Sequence, residues 1–121
     1  MKVLLADDEL RLRKVVVLHL KKAGFDVIEA SNGKQAVELA KIHNPEIIVL
    51  DVMMPEMDGI TACKEFRKSP EFAKTPIIML TAKATSDDIE VGKSAGASEY
   101  LTKPFSPKEL IEKIQELMGN G

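Results

Sequence analysis

Residues 46–60 read "EIIVLDVMMPEMDGI": four apolar residues in a row, 47–50, and then the carboxylate of Asp51. A continuous apolar run of strand length bounded by turn residues reads as a strand buried on both faces, an interior strand of a mostly parallel sheet. The Met-Met-Pro and Met-Asp-Gly that follow end it. A carboxylate at the carboxyl end of such a strand sits in the crevice where open α/β sheets bind their ligands, so Asp51 is the first residue to explain.

The rhythm extends outward from this stretch. Residues 3–6, 25–30, 47–50, 77–80 and 99–101 are short apolar runs, each followed by a longer segment with helical period. Five βα units imply right-handed crossovers and an α/β fold, a doubly wound five-stranded parallel sheet with helices on both faces. The first helix carries a stripe of Leu12, Val15, Val16, His19, Leu20 and Ala23 and stops at Gly24, a glycine C-cap. His19 reads as half-buried packing, and His43 as a positive complement at a helix end. Asn32-Gly33 and Asp58-Gly59 open the second and third helices, the third stopping near Ser69-Pro70. The fourth begins near Thr85-Ser86, with a thin apolar face of Ile89, Val91 and Ala95 and a helix-weakening Gly92, and is expected to be the loosest. Ser106, Pro107 and Glu109 form a capping box at the start of the fifth.

At 121 residues the chain has the size of one domain, 1–121. With 45% hydrophobic and 30% charged residues and a formal net charge of -2, it carries no strong field of either sign, so neither a nucleic-acid nor a membrane surface is expected. The N-terminus turns acidic at Asp7-Asp8 before a signal-peptide core could form, and a single cysteine, Cys63, fits a reducing compartment; the expected location is the cytoplasm. Cys63 shares a helical stripe with Ile60 and Phe66 and reads as a structural thiol.

In a parallel sheet the carboxyl ends of the strands share one edge. They deliver Asp7-Asp8-Glu9, Asp51, Thr81 and Thr102-Lys103-Pro104 to it. Like charges about 4 Å apart repel by about 4 kcal/mol at an effective dielectric near 20. Lys103 offsets part of this; a hard divalent cation, Mg²⁺ with Mn²⁺ as a substitute, fits three carboxylates better. With the metal in place, the remaining inventory of one carboxylate, one hydroxyl and one ammonium is what phosphoryl transfer needs, which makes Asp51 the group to be phosphorylated.

Asp7-Asp8, Asp51 of "IIVLDVMMPEMDG", Thr81 of "PIIMLTAK" and the triplet Lys103-Pro104-Phe105, in that order and spacing, resemble the receiver domain of two-component response regulators over nearly the whole chain. The resemblance implies flavodoxin-like strand order 2-1-3-4-5 and a phosphohistidine donor on a sensor histidine kinase or histidine phosphotransfer protein. It implies a metal site of Asp7, Asp8, Asp51 and the backbone carbonyl of Met53, phosphoryl contacts from Thr81 and Lys103, and a cis Lys103-Pro104 bond. Thr81 and Tyr100 would form the switch, remodelling the surface of the fourth helix, fifth strand and fifth helix that meets a downstream protein. Met53 and Lys83, two residues past Asp51 and Thr81, would flank the site and govern how long the phosphoryl group lasts.

Taken singly, Thr81 is an ordinary turn residue, Tyr100 ordinary packing and Lys103 an ordinary surface lysine. Three other functions compete. A Mg-dependent phosphohydrolase with an aspartyl nucleophile wants an acid two residues past the nucleophile, where Met53 stands. A flavodoxin-like cofactor carrier would have its phosphate repelled by Asp7-Asp8-Glu9. A fold-only interaction module has no need of the full set of side chains.

Overall fold

Three of the five apolar runs become strands that extend one residue further than their apolar side chains, and the added residues are Asp51, Thr81 and Thr102. The computed structural model of the chain describes residues 1–82 and 86–119, the side chains of residues 86–88 excepted. Five strands, β1 (Lys2–Ala6), β2 (Asp26–Ala30), β3 (Ile47–Asp51), β4 (Ile77–Thr81) and β5 (Glu99–Thr102), alternate with five helices. The helices are α1 (Leu10–Lys22), α2 (Gly33–His43), α3 (Gly59–Lys68), α4 (Ser86–Ala95) and α5 (Pro107–Leu117), and a 3-10 turn at Pro70–Phe72 follows α3. All pairings are parallel, in the order β2-β1-β3-β4-β5. The registers Ala6↔Leu50, Asp51↔Leu80 and Thr81↔Thr102 align the strand ends that carry the polar groups.

The period-2 alternation of a strand divides the core in two. Leu4, Ile48, Leu50, Ile77 and Met79 face a layer formed by α2, α3 and α4, with Ala36, Ala40, Ala62, Cys63, Phe66 and Ala95 buried against them. Val3, Leu5, Ile47, Val49, Ile78 and Leu80 face α1 and α5, where Val16, Val17, Leu20, Leu110 and Ile114 are buried. Burying each such aliphatic side chain contributes about 1.5–3 kcal/mol, so β3, buried at every residue, anchors both halves.

Cap chemistry sets most helix ends. Asn32 accepts from Gln35 N and Asp58 from Thr61 N. Ser106 and Glu109 complete a reciprocal capping box, with Pro107 at the first helical position. Gly24 takes φ +95°, the left-handed conformation that ends α1.

Two stripes differ from the sequence reading. On α1 the buried residues are Val16, Val17 and Leu20, while Val15, His19 and Ala23 are exposed and His19 Nδ1 lies 2.9 Å from Val15 O. Periodicity fixes an apolar arc only to within about a residue; here packing beside Leu110 and Ile114 of α5 turns Val17 inward instead of Val15. On α4, Val91 is exposed, and Gly92 and Ala95 form the buried side with Ile89 half-buried. That helix packs through its small residues.

Candidate functional site

The strand ends converge as their order requires. Asp7, Asp8 and Asp51 each present a carboxylate oxygen within 4.8 Å of the others. Asp7 and Asp51 are 1% and 5% exposed, Thr81 is 8% exposed, and Asp8 stands at the mouth, exposed. Lys103 reaches across from the loop after β5, its Nζ 3.0 Å from Asp51 Oδ2 and 3.4 Å from Asp7 Oδ2. The Lys103-Pro104 bond is cis, and Lys103 N donates to Thr81 O at 2.7 Å, tying the β5 loop to the end of β4.

Three carboxylates facing one ammonium leave two formal negative charges, which matches a divalent cation, and a set of hard oxygen donors suits Mg²⁺. The protonation balance reflects this excess. Burial drives the Asp51 carboxyl upward, the Lys103 hydrogen bond only partly offsets it and the charge of Asp7 adds to it, for a pKa of about 6. Burial opposes the charged form of Lys103, but its hydrogen bond to Asp51 and the charges of Asp51 and Asp7 prevail and raise its pKa.

A shell of backbone contacts fixes the cluster. Asp7 Oδ1 accepts from Glu9 N at 2.9 Å, and Arg13 donates to Asp7 O at 2.7 Å while pairing with Glu29 at 3.0 Å. Burial acts against ionising Glu29, yet the hydrogen bonds of Arg13 and Lys14 hold its carboxyl below the usual range. The loop after Asp51 is pinned at three points: Val52 N to Leu80 O at 2.9 Å, Gly59 N to Val52 O at 3.0 Å, and Gly33 N to Met57 O at 2.8 Å. A Cβ at Gly59 would run into the carbonyl oxygen of Asp51, so glycine lets α3 start directly against the strand end.

The structure thus brings Asp7, Asp8, Asp51, Thr81 and Lys103 to one edge. Met53 follows in the loop with its side chain 75% exposed, while Met54 and Met57 pack on the core. Lys83 lies outside the described residues. Tyr100 lies on the α3–α4 side of the sheet, paired in register with Met79, with its hydroxyl buried. Burial, with the nearby Cys63 and Glu99, holds its phenol above the usual range. Strand alternation puts Thr81 on the same side as Met79, so Thr81 and Tyr100 are diagonal neighbours on adjacent strands.

Sequence reasoning missed the supporting residues. Arg67 binds Gly96 O at 2.9 Å, Phe72 O at 2.8 Å and Thr75 O at 2.7 Å, fastening the end of α4 to the loop before β4. No local signal distinguishes it from a surface arginine. Gly59 was legible only as a helix start, although its "MDG" context hinted at a tight approach.

Among the described residues no helix is long and apolar enough to cross a membrane. A sequence model described as the response regulator receiver domain matches residues 3–115. The transcriptional regulatory protein SrrA of Staphylococcus aureus is 43% identical over 116 residues, 96% of this chain and 47% of that protein. The chain spans about half the length of the curated relatives it matches. The chemotaxis response regulator CheY4 of Vibrio cholerae superposes with a TM-score of 0.92 at 35% identity, covering 96% of this chain and 97% of that one. The receiver domain of the sensor histidine kinase PA1611 of Pseudomonas aeruginosa, solved with a magnesium ion coordinated in its active-site cleft, superposes at 0.90 with 34% identity, covering 98% and 97%.

Proposed function

This chain belongs to the response regulator receiver domain family, and we propose that Asp51 is the carboxylate on which it accepts a phosphoryl group. The observation that carries this reading is the position of Lys103 Nζ, within 3.0 Å of Asp51 and 3.4 Å of Asp7 at a crevice with two negative charges in excess. In the transfer, an Asp51 oxygen attacks phosphorus, the P–N bond to the donor imidazole breaks, and its electron pair leaves with the ring. Lys103 and Thr81 bind the phosphoryl oxygens as charge builds on them. Asp7, Asp8, Asp51 and the Met53 carbonyl would hold Mg²⁺, or Mn²⁺, which supplies the remaining positive charge; the magnesium in the PA1611 receiver supports this choice.

The donor is a phosphohistidine on a sensor histidine kinase or a histidine phosphotransfer protein. The signal leaves through α4, β5 and α5 to a downstream protein when Thr81 and Tyr100 rearrange. The chain acts as one domain over residues 1–121, catalyses only its own phosphorylation and dephosphorylation, and works in the cytoplasm. The surface of residues 1–121 meets proteins and neither nucleic acid nor membrane; SrrA, which is matched over 47% of its length, is named as a transcriptional regulatory protein. A phosphohydrolase of external substrates is disfavoured, because the residue two past the nucleophile is the exposed thioether of Met53.

The test is incubation with phosphoramidate, a small P–N donor, in Mg²⁺ or in EDTA. Metal-dependent label that hydroxylamine removes, as it removes acyl phosphates, supports the reading. Label that resists hydroxylamine, or that forms equally in EDTA, contradicts it.

A further inference from the structure

The underside of α4 meets β5 through Gly92. A Cβ built there would lie 2.5 Å from Tyr100 Cε1 and 2.8 Å from Cζ, and closer still to the hydroxyl. The tyrosine ring therefore fills the space that any side chain at 92 would need. Its hydroxyl is buried and has no hydrogen-bond partner among the described residues; the nearby Cys63 thiol is turned to Ala95 O at 3.4 Å. A buried hydroxyl without a partner opposes this placement, so the inward ring is held by packing alone. Gly92 also weakens a ten-residue helix in its interior. The helix thus carries a weakening residue at the position where its backbone touches the ring.

We propose that Gly92 is the positioning residue that admits Tyr100 to its inward seat, and that a side chain at 92 expels the ring to the solvent edge of β5 and uncouples the α4–β5–α5 surface from Asp51. The colliding atoms are the far end of a side chain free to turn about χ1, on a strand at the edge of the sheet, so the ring yields and the helix does not. Phosphoryl uptake is expected to persist, since the three atoms nearest a Cβ at 92 all belong to Tyr100 and none to the carboxylates, Thr81 or Lys103. The second half rests on Asp51 as the acceptor; the seat itself does not.

Tyr100 is the only tyrosine and the chain has no tryptophan, so ultraviolet-excited emission reports this ring alone. In the unphosphorylated protein, acrylamide should quench Gly92→Ala several-fold more strongly than wild type, while the helical circular dichroism is retained. Wild-type quenching in Gly92→Ala, or loss of its fold, overturns the seat. A double-mutant cycle adds a second readout: Gly92→Ala should raise the thermal midpoint more in a Tyr100→Ala background, where no ring must move, than in wild type. Equal shifts overturn the seat. For the coupling, both proteins are phosphorylated with acyl phosphate and Mg²⁺ to equal mass gain, and hydrogen exchange is read over residues 86–102. Wild type should change there and Gly92→Ala should not; the same change in both overturns the coupling. Absence of label on wild type would instead remove the acceptor reading and the coupling built on it, leaving the quenching result to decide the seat.

Discussion

Lys103 Nζ sits nearer to Asp51 Oδ2, at 3.0 Å, than to Asp7 Oδ2, at 3.4 Å, and so joins the two buried carboxylates of the crevice. One ammonium for three carboxylates is an unfinished charge balance. Its consequences can be measured without any partner protein.

The first is a stability change with pH. The folded pKa of Asp51, about 6, lies above the ordinary 3.8, so folding favours the neutral form. This contribution is fully present below the unfolded pKa and is lost as pH rises through about 6. At pH near 7.5 the ionised carboxylate therefore costs the metal-free fold about 2–3 kcal/mol. Asp51→Asn should be more stable than wild type in urea with EDTA at that pH, and the gain should vanish near pH 4. A loss of stability, or a gain independent of pH, contradicts the charge balance described.

Lys103→Met should separate metal binding from chemistry. Removing the ammonium leaves three negative charges, so Mg²⁺ binds more tightly, while the metal-free fold loses about 1–3 kcal/mol from unpaired carboxylates. Phosphoryl uptake should nevertheless slow by about a hundredfold, the scale of losing one donor to a developing charge. Calorimetric Mg²⁺ titration beside labelling rates checks both; weaker Mg²⁺ binding, or unchanged uptake, would be the wrong result.

Gly59→Ala puts a methyl group into the Asp51 carbonyl, where backbone has to move. A loss of about 2–4 kcal/mol is expected from this overpacking. Chemical denaturation measures it, and a change within about 0.5 kcal/mol would show that the loop after Asp51 adapts freely.

How long the phosphoryl group lasts should depend on Met53. Its thioether has no good group with which to orient a water, and an asparagine there supplies an amide that does. Met53→Asn should lose label faster than wild type in excess Mg²⁺ without phosphatase. Equal decay rates would mean that the 75% exposed side chain points away and plays no part.

What the sequence made legible follows from what local chemistry encodes. The alternation of apolar runs and helical periods gave five parallel strands, and the ordered polar residues at their ends named the cluster that the structure brings together at Asp7, Asp8, Asp51, Thr81 and Lys103. Caps at Asn32, Asp58 and Ser106 were readable because each bonds within its own first turn. The rotation of α1 was not, since Val17 is chosen over Val15 by α5, nearly a hundred residues away in the chain. Arg67 and the meeting of Gly92 with Tyr100 are likewise contacts between distant segments. Tyr100 was legible as a switch residue only through the family resemblance, and its seat against Gly92 is set by the meeting of β5 with α4.

The most direct measurement is intact mass after incubation with acetyl phosphate and Mg²⁺, for wild type and a folded Asp51→Asn protein side by side. Wild type should gain the mass of one phosphoryl group, EDTA should prevent the gain, and Asp51→Asn should show none. A phosphoryl mass gain on folded Asp51→Asn equal to that of wild type would contradict the assignment of Asp51 as the acceptor.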